Sequence, residues 1–159
     1  MLNFYLLFSY GSNSIQQIKN RIESEREIIF YPAYLKNHVR IFCGKSQRWN
    51  HGAICSFYPF ENRNLYGIAV YLTMDELLKL DTFENGYERI DINIILENEF
   101  HECKNAYIYR KINTQFYTMP SDDYLQAIHH MLNDRKKKTQ RKLIIRALIK
   151  NKIKILKIC

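Results

Sequence analysis

The chain has little of what would staple, stiffen or anchor it. Its four cysteines, Cys43, Cys55, Cys103 and Cys159, form no Cys-x-x-Cys pair, and none stands at zinc-ligand spacing from a histidine. They read as free thiols in a reducing compartment, and no metal site is expected. Five Gly and three Pro in 159 residues exclude a collagenous or loop-only chain. A mean hydropathy of −0.38 excludes an integral membrane protein. The apolar stretch Leu2–Phe8 lacks a basic leader and a small-residue cleavage site. It runs straight into a turn, so it reads as a first strand rather than a signal peptide, and the expected location is cytoplasmic. Also missing are a Gly-x-Ser-x-Gly elbow, a Walker A lysine, His-Glu-x-x-His and Gly-x-Gly-x-x-Gly. No cofactor motif is left.

What is present suits one compact domain. The sequence is 47% hydrophobic and 14% aromatic, with twelve Tyr and nine Phe, which argues against disorder. A chain of this length buries roughly 70% of its unfolded surface and needs no disulfide to hold it. The net charge of +8 is unevenly spread. Residues 135–159 carry eleven Lys or Arg and no acid, leaving thirteen basic against sixteen acidic side chains in 1–134. The expected organisation is therefore a mildly acidic domain, 1–134, followed by a basic tail, 135–159.

Along the chain, Asn3–Ser9 reads as a strand ending in the turn Tyr10-Gly11-Ser12-Asn13. Ile15, Ile18 and Ile22 then recur at helical spacing, with Asn13 or Ser14 as cap. Glu27–Phe42 is broken by Pro32 and by Lys36-Asn37-His38, which predicts two strands or a strand and an extension. Ala53–Phe57 and Leu65–Leu72 read as two more, joined by a turn over Pro59–Asn64. Thr73 and Glu76 form a capping box ahead of a helix that runs to Asp81. Ile90–Leu96 alternates as a half-buried strand, Asn105–Arg110 is another, and Pro120-Ser121 opens a last helix with Tyr124, Leu125, Ile128 and Leu132 on one face. No sustained βαβ alternation appears. The pattern predicts an α+β fold, a mixed, barrel-like sheet with helices packed outside.

Two segments carry the chemistry. In Phe8-Ser9-Tyr10-Gly11-Ser12-Asn13, a Gly turn just before a helix frees backbone amides beside the partly positive helix start, where an anion is favoured. In Leu80-Asp81-Thr82-Phe83-Glu84-Asn85-Gly86-Tyr87-Glu88-Arg89, a carboxylate follows an apolar helix at a Gly break. Such a group, held in a cleft, serves as a general base. The pair His129-His130 reads as solvated helix surface, because adjacent positions do not share a helix face.

Together these segments resemble the gamma-glutamylcyclotransferase family. Tyr10–Asn13 resembles its Tyr-Gly-Ser-Asn after the first strand, and Leu80–Glu84 with Tyr87-Glu88-Arg89 resembles its Leu-Asp-x-x-Glu-Gly before Tyr-x-Arg. Trp49–Ala53, Tyr66–Tyr71 and Pro120–Tyr124 are similar to three further family segments, all in register from Asn3 to Met131. Two positions depart. Asn85 separates Glu84 from Gly86, and Leu7 stands where relatives often have an aromatic.

The resemblance implies a gamma-glutamylcyclotransferase-like fold and an intramolecular cyclisation that needs no cofactor. The α-amine of a γ-glutamyl group attacks its own side-chain amide, releasing 5-oxoproline and an amine. Glu84 is implied as the proton carrier, the amides of Tyr10, Gly11 and Ser12 as the binders of the α-carboxylate or oxyanion, and Tyr124 as a hydrogen-bonding partner of the glutamyl group. Leu7, Phe8, Ser9 and Asn13 complete the expected substrate-binding set, and Glu88 is the rival base. Tyr-Gly-Ser-Asn favours γ-glutamyl amino acids as substrates. The alternatives are a γ-glutamylamine substrate, or a non-catalytic scaffold that binds anionic partners through its tail. In that tail, residues 138–159 read as a basic amphipathic helix, first as one packed back on its own domain with lysines in solvent and next as one suited to an anionic membrane surface or a protein partner, with nucleic acid disfavoured for want of interleaved aromatics.

Overall fold

The computed structural model describes residues 3–112 and 118–156, with side chains as far as residue 140 in the last helix. Five strands close into a barrel: β1 (Phe4–Ser9), β2 (Phe30–Cys43), β3 (Ile54–Thr73), β4 (Tyr87–Leu96) and β5 (Cys103–Lys111). Their order around the barrel is β1-β3-β2-β4-β5, with β1 closing on β5 in parallel and the other pairs antiparallel. Three helices flank it, α1 (Ile15–Ile22), α2 (Met74–Asp81) and α3 (Asp122–Leu156). This is the expected α+β, barrel-like class.

Two expectations change. The two strands, or strand and extension, read in Glu27–Phe42 are one strand, β2, and the strands on either side of Pro59–Asn64 are one, β3. Proline does not end either strand. Pro32 keeps its place opposite Ile68 while its carbonyl accepts from the Glu97 amide at 2.8 Å. Pro59 sits where the register slips between Lys36 and His38, and a bulge is where a strand tolerates a missing N–H. Asn37 takes a left-handed φ of 57° at that point.

Alternation on β1 sends its side chains to two cores. Leu6, Phe8 and Tyr10 join Leu35, Leu65, Ala69, Ile94 and Ile108 on the face that all five strands share inside the barrel, closed by Tyr124 and Ile128 of α3. Leu7 faces the other way, with Ile68, Val70 and Leu72, against Ile18 and Ile22 of α1 and Leu77 and Leu80 of α2. On α3 the buried stripe is Tyr124, Ile128 and Met131, while Leu125 is exposed. Leu125 lies one residue, about 100° of helical turn, off that stripe.

Caps fix where the helices start. Ser14 caps α1 by accepting from the Gln17 amide, and the Ile15 amide is taken by Asp134 of α3 at 2.9 Å. The capping box of α2 forms as read from the sequence, with Thr73 and Glu76 bonding reciprocally. Glu76 is also clamped by Arg26 at 2.6 Å. Burial alone would raise the Glu76 carboxyl; the Arg26 guanidinium and the Thr73 amide outweigh it and hold it below its ordinary value. Its stabilisation is thus present above the ordinary carboxylate range and lost as pH falls through the depressed folded value. Thr73→Ala removes one half of the box and is expected to cost about 1 kcal/mol in urea melts at neutral pH.

The 134/135 boundary falls inside α3, which is continuous across it. The first turns of the basic segment lie on the barrel: Arg135 pairs with Glu97 and stacks 4.7 Å over Tyr66, and Lys138 lies 4.9 Å over Phe30. Beyond residue 140, the basic amphipathic face expected of 138–159 lies outside the described side chains. No helix among the described residues is long and apolar enough to cross a membrane.

Candidate active site

At one end of the barrel a cavity of about 490 Å³ opens between the β1–α1 turn, the α2–β4 turn, the loop after β2 and the start of α3. Every site residue expected from the sequence lines it: Leu7, Phe8, Ser9, Tyr10, Gly11, Ser12, Asn13, Glu84 and Tyr124. Glu88 does not; it points outward and pairs with Arg110 at 2.6 Å.

Glu84 is placed by a series of tight turns. The amides of Thr82, Phe83 and Glu84 bond back to Lys79, Leu80 and Asp81, and the Tyr87 amide then closes on the Glu84 carbonyl at 3.0 Å. Gly86, third in that last turn, has φ of +78°, a conformation that favours glycine. The extra residue Asn85 is accommodated in this turn, and the carboxylate stays in the cavity. Asp81 is tied down by the Tyr109 hydroxyl at 2.7 Å and by Arg89 at 3.4 Å, which anchors the end of α2 to the barrel.

The Glu84 carboxylate is 12% exposed and meets two donors through one oxygen. Oε1 accepts from Asn13 Nδ2 at 2.9 Å and from Arg21 Nη1 at 2.8 Å. Among the described residues, Oε2 accepts no hydrogen bond and remains the oxygen available to a ligand. Arg21, 8% exposed on α1, also donates to Asn13 Oδ1 at 2.7 Å and lies 5.3 Å over the Phe83 ring. Burial lowers its pKa, the Glu84 charge partly offsets this, and the guanidinium stays protonated. The Asn13 side chain is thus committed to holding the acid.

The glycine turn lines the same cavity. Ser9 Oγ donates to the Asn13 carbonyl at 2.8 Å, and Arg40 donates to the Tyr10 carbonyl from Nε and Nη2 at 2.9 and 2.7 Å. These bonds freeze the turn from outside. The Gly11 and Ser12 amides donate to no protein acceptor among the described residues, so this turn, which lines the cavity, keeps two N–H groups unused. Tyr124 lies against Gly11, its hydroxyl 3.4 Å from where a side chain would begin, and accepts from the Cys55 amide at 2.8 Å. Tyr10 donates to the Tyr109 carbonyl and packs on Phe57 rather than on Tyr124, whose ring contact is Trp49 at 5.0 Å. Burial raises the phenols of Tyr10, Tyr87, Tyr109 and Tyr124 well above their ordinary value, so all four stay neutral donors. Burial likewise pushes the Cys55 thiol up to about 11, which leaves it protonated and poorly nucleophilic.

Sequence reasoning missed Arg21 and Arg40. Arg21 follows Gln17 by one helical turn beside the isoleucine stripe, and Arg40 is a polar residue in a strand. Neither has a local signature, because each acts on a residue brought near only by folding.

No family model matches the sequence, and no curated protein matches it. Solved structures do. A gamma-glutamyl cyclotransferase superposes with a TM-score of 0.74 at 21% identity, over 91% of this chain and 88% of that one. An uncharacterized human protein gives 0.72 at 23% identity, over 83% and 80%. A yeast gamma-glutamyl cyclotransferase specific to glutathione gives 0.59 at 12% identity, over 82% and 87%. The shared feature is the fold: this chain has a gamma-glutamylcyclotransferase-like barrel.

Proposed function

We propose that the cavity cyclises the γ-glutamyl group of γ-glutamyl amino acids to 5-oxoproline, with release of the amino acid. The observation that carries this reading is one cavity lined both by a fixed carboxylate and by a turn whose Gly11 and Ser12 amides donate to no protein acceptor among the described residues. The similarity in fold to a gamma-glutamyl cyclotransferase supports it.

The substrate's α-amine is a cation until it loses a proton, and the Glu84 carboxylate both attracts it and accepts that proton at Oε2. Nitrogen then attacks the side-chain carbonyl carbon, closing a five-membered ring and placing negative charge on the carbonyl oxygen. Oriented amides such as those of Gly11 and Ser12 stabilise such an oxyanion, at about 3 kcal/mol for each donor that faces the developing charge. Glu84 returns its proton to the departing nitrogen as the old C–N bond breaks, and then takes the second proton that the ring nitrogen sheds to become the neutral lactam. Proton transfer of this kind is worth about 10²–10⁴-fold. Holding the flexible glutamyl chain folded contributes more, because a well-oriented intramolecular attack reaches effective molarities of about 10⁵ M or above. No cofactor enters this reaction.

The test is a panel of γ-glutamyl-amino acids, glutathione and γ-glutamyl-ε-lysine, read by 5-oxoproline release. The dipeptides are expected to give the highest kcat/KM. Equal values for glutathione would overturn the assigned substrate class, and no 5-oxoproline from any member would overturn the activity.

A further inference from the structure

The proposed reaction accounts for Glu84, Arg21 and the glycine turn but leaves the cavity's remaining charge unused. Four cations line it, Arg21, Lys45, Arg48 and Lys111, against one carboxylate. Glu84 is already bound by Arg21. Lys45 and Arg48 are exposed at the rim. Lys111 is different, because it is partly buried and held in a socket.

Lys111 ends β5, in register opposite Tyr87. Its ammonium lies 5.3 Å over the Tyr87 ring, and its side chain passes Gly44, 3.4 Å from where a Cβ would stand there. At Gly86 a Cβ would come within 2.4 Å of Nζ. Both glycines have positive φ, so the chain turns tightly on either side of the lysine. Among the described residues, Lys111 forms no ion pair. A cation fixed in this way, without a protein carboxylate, is a site for one supplied from outside.

Its position says which carboxylate. Gly86 belongs to the turn that carries Glu84, and Lys111 and Glu84 line the same cavity, so the ammonium and the proton carrier are held by one short stretch of its wall. In a γ-glutamyl amino acid, the leaving group's carboxylate is two bonds from that nitrogen. In glutathione and in γ-glutamyl-ε-lysine it is several bonds further out, and a simple amine has none. We propose that Lys111 binds the leaving group's α-carboxylate and makes the cavity selective for γ-glutamyl α-amino acids. This proposal rests on the cyclisation reading and adds to it the residue that reads the leaving group.

The experiment compares γ-glutamyl-alanine with γ-glutamyl-ethylamide, which is the same molecule without that carboxylate. The ratio of their kcat/KM values is expected to fall about tenfold or more in Lys111→Met, the usual scale for losing a charge-assisted hydrogen bond, and to recover in Lys111→Arg. An unchanged ratio, or an equal loss on both substrates that Lys111→Arg does not restore, overturns the proposal. Binding separates it from the cyclisation reading. In Glu84→Gln protein, expected to turn substrate over at least about a hundredfold more slowly, the fluorescence of Trp49, the chain's one tryptophan and part of the cavity wall, reports occupancy. Tighter binding of γ-glutamyl-alanine, lost when Lys111→Met is added, supports the carboxylate site even if wild-type protein yields no 5-oxoproline. Equal binding of the two probes, or binding of neither, overturns it.

Discussion

Glu84→Gln is expected to lower 5-oxoproline formation by at least about a hundredfold while the barrel stays folded. Glutamine keeps the shape of the side chain, and its carbonyl oxygen can still accept from Asn13 and Arg21, which bond one oxygen at 2.9 and 2.8 Å. What it lacks is a basic Oε2 to take the amine's proton. The substitution also leaves Arg21 as a buried cation without a countercharge. A loss of stability of about 1–3 kcal/mol is therefore expected alongside the loss of activity. Circular dichroism melts separate the two effects. Folded Glu84→Gln protein retaining more than about a tenth of wild-type turnover would remove Glu84 from the role of base, because general base catalysis is worth more than that. Glu88 would not inherit the role, since it faces solvent in a pair with Arg110.

Gly67→Ala is expected to be the most damaging single-methyl change to the fold. A Cβ at Gly67 would lie 2.1 Å from the Ser9 carbonyl oxygen and 2.9 Å from the Phe8 ring. The obstructing atom is backbone in β1, which pairs with β3 at this point, Ser9 opposite Ile68. It cannot rotate away as a side chain would. Relief requires the strands to part beside the Tyr10–Asn13 turn, at a cost of about 3 kcal/mol or more. Urea unfolding measures this, and a loss below about 1 kcal/mol would mean that β1 and β3 separate with little resistance there. Because the same shift moves the amides of Gly11 and Ser12, cyclisation is expected to fall with stability rather than independently of it.

The similar segments noted in the sequence acquire physical reasons in the fold. Gly67 is where β3 crosses the end of β1. Gly52 is where the loop after β2 meets the start of α3: a Cβ there would come within 2.5 Å of the Ser121 amide, and the neighbouring Ala53 amide bonds the Met119 carbonyl. Asp81 and Arg89, on either side of Glu84, pair with each other and hold the helix end against Tyr109. These positions read as motifs because each marks a close approach or a partly buried polar pair, and such places admit few side chains.

Local chemistry is what the sequence by itself determined. Ser14 and Thr73 start their helices because a hydroxyl at the cap satisfies amides within three residues, and the alternation along Ile90–Leu96 follows from the two-residue period of a strand. Glu84, Tyr10–Asn13 and Tyr124 were likewise legible, through their family resemblance. The tertiary structure decided whatever depends on partners far along the chain. It carried β2 and β3 through their prolines, because pairing and a bulge outweigh a local break. It put Met131 rather than Leu125 in the core, because burial on a helix depends on which face the barrel presents. It also set Arg21 on Glu84, sixty-three residues away, and Lys111 beside Gly86. A charge's role is fixed by its neighbours in space, and for these two residues only the closing of the barrel supplied them.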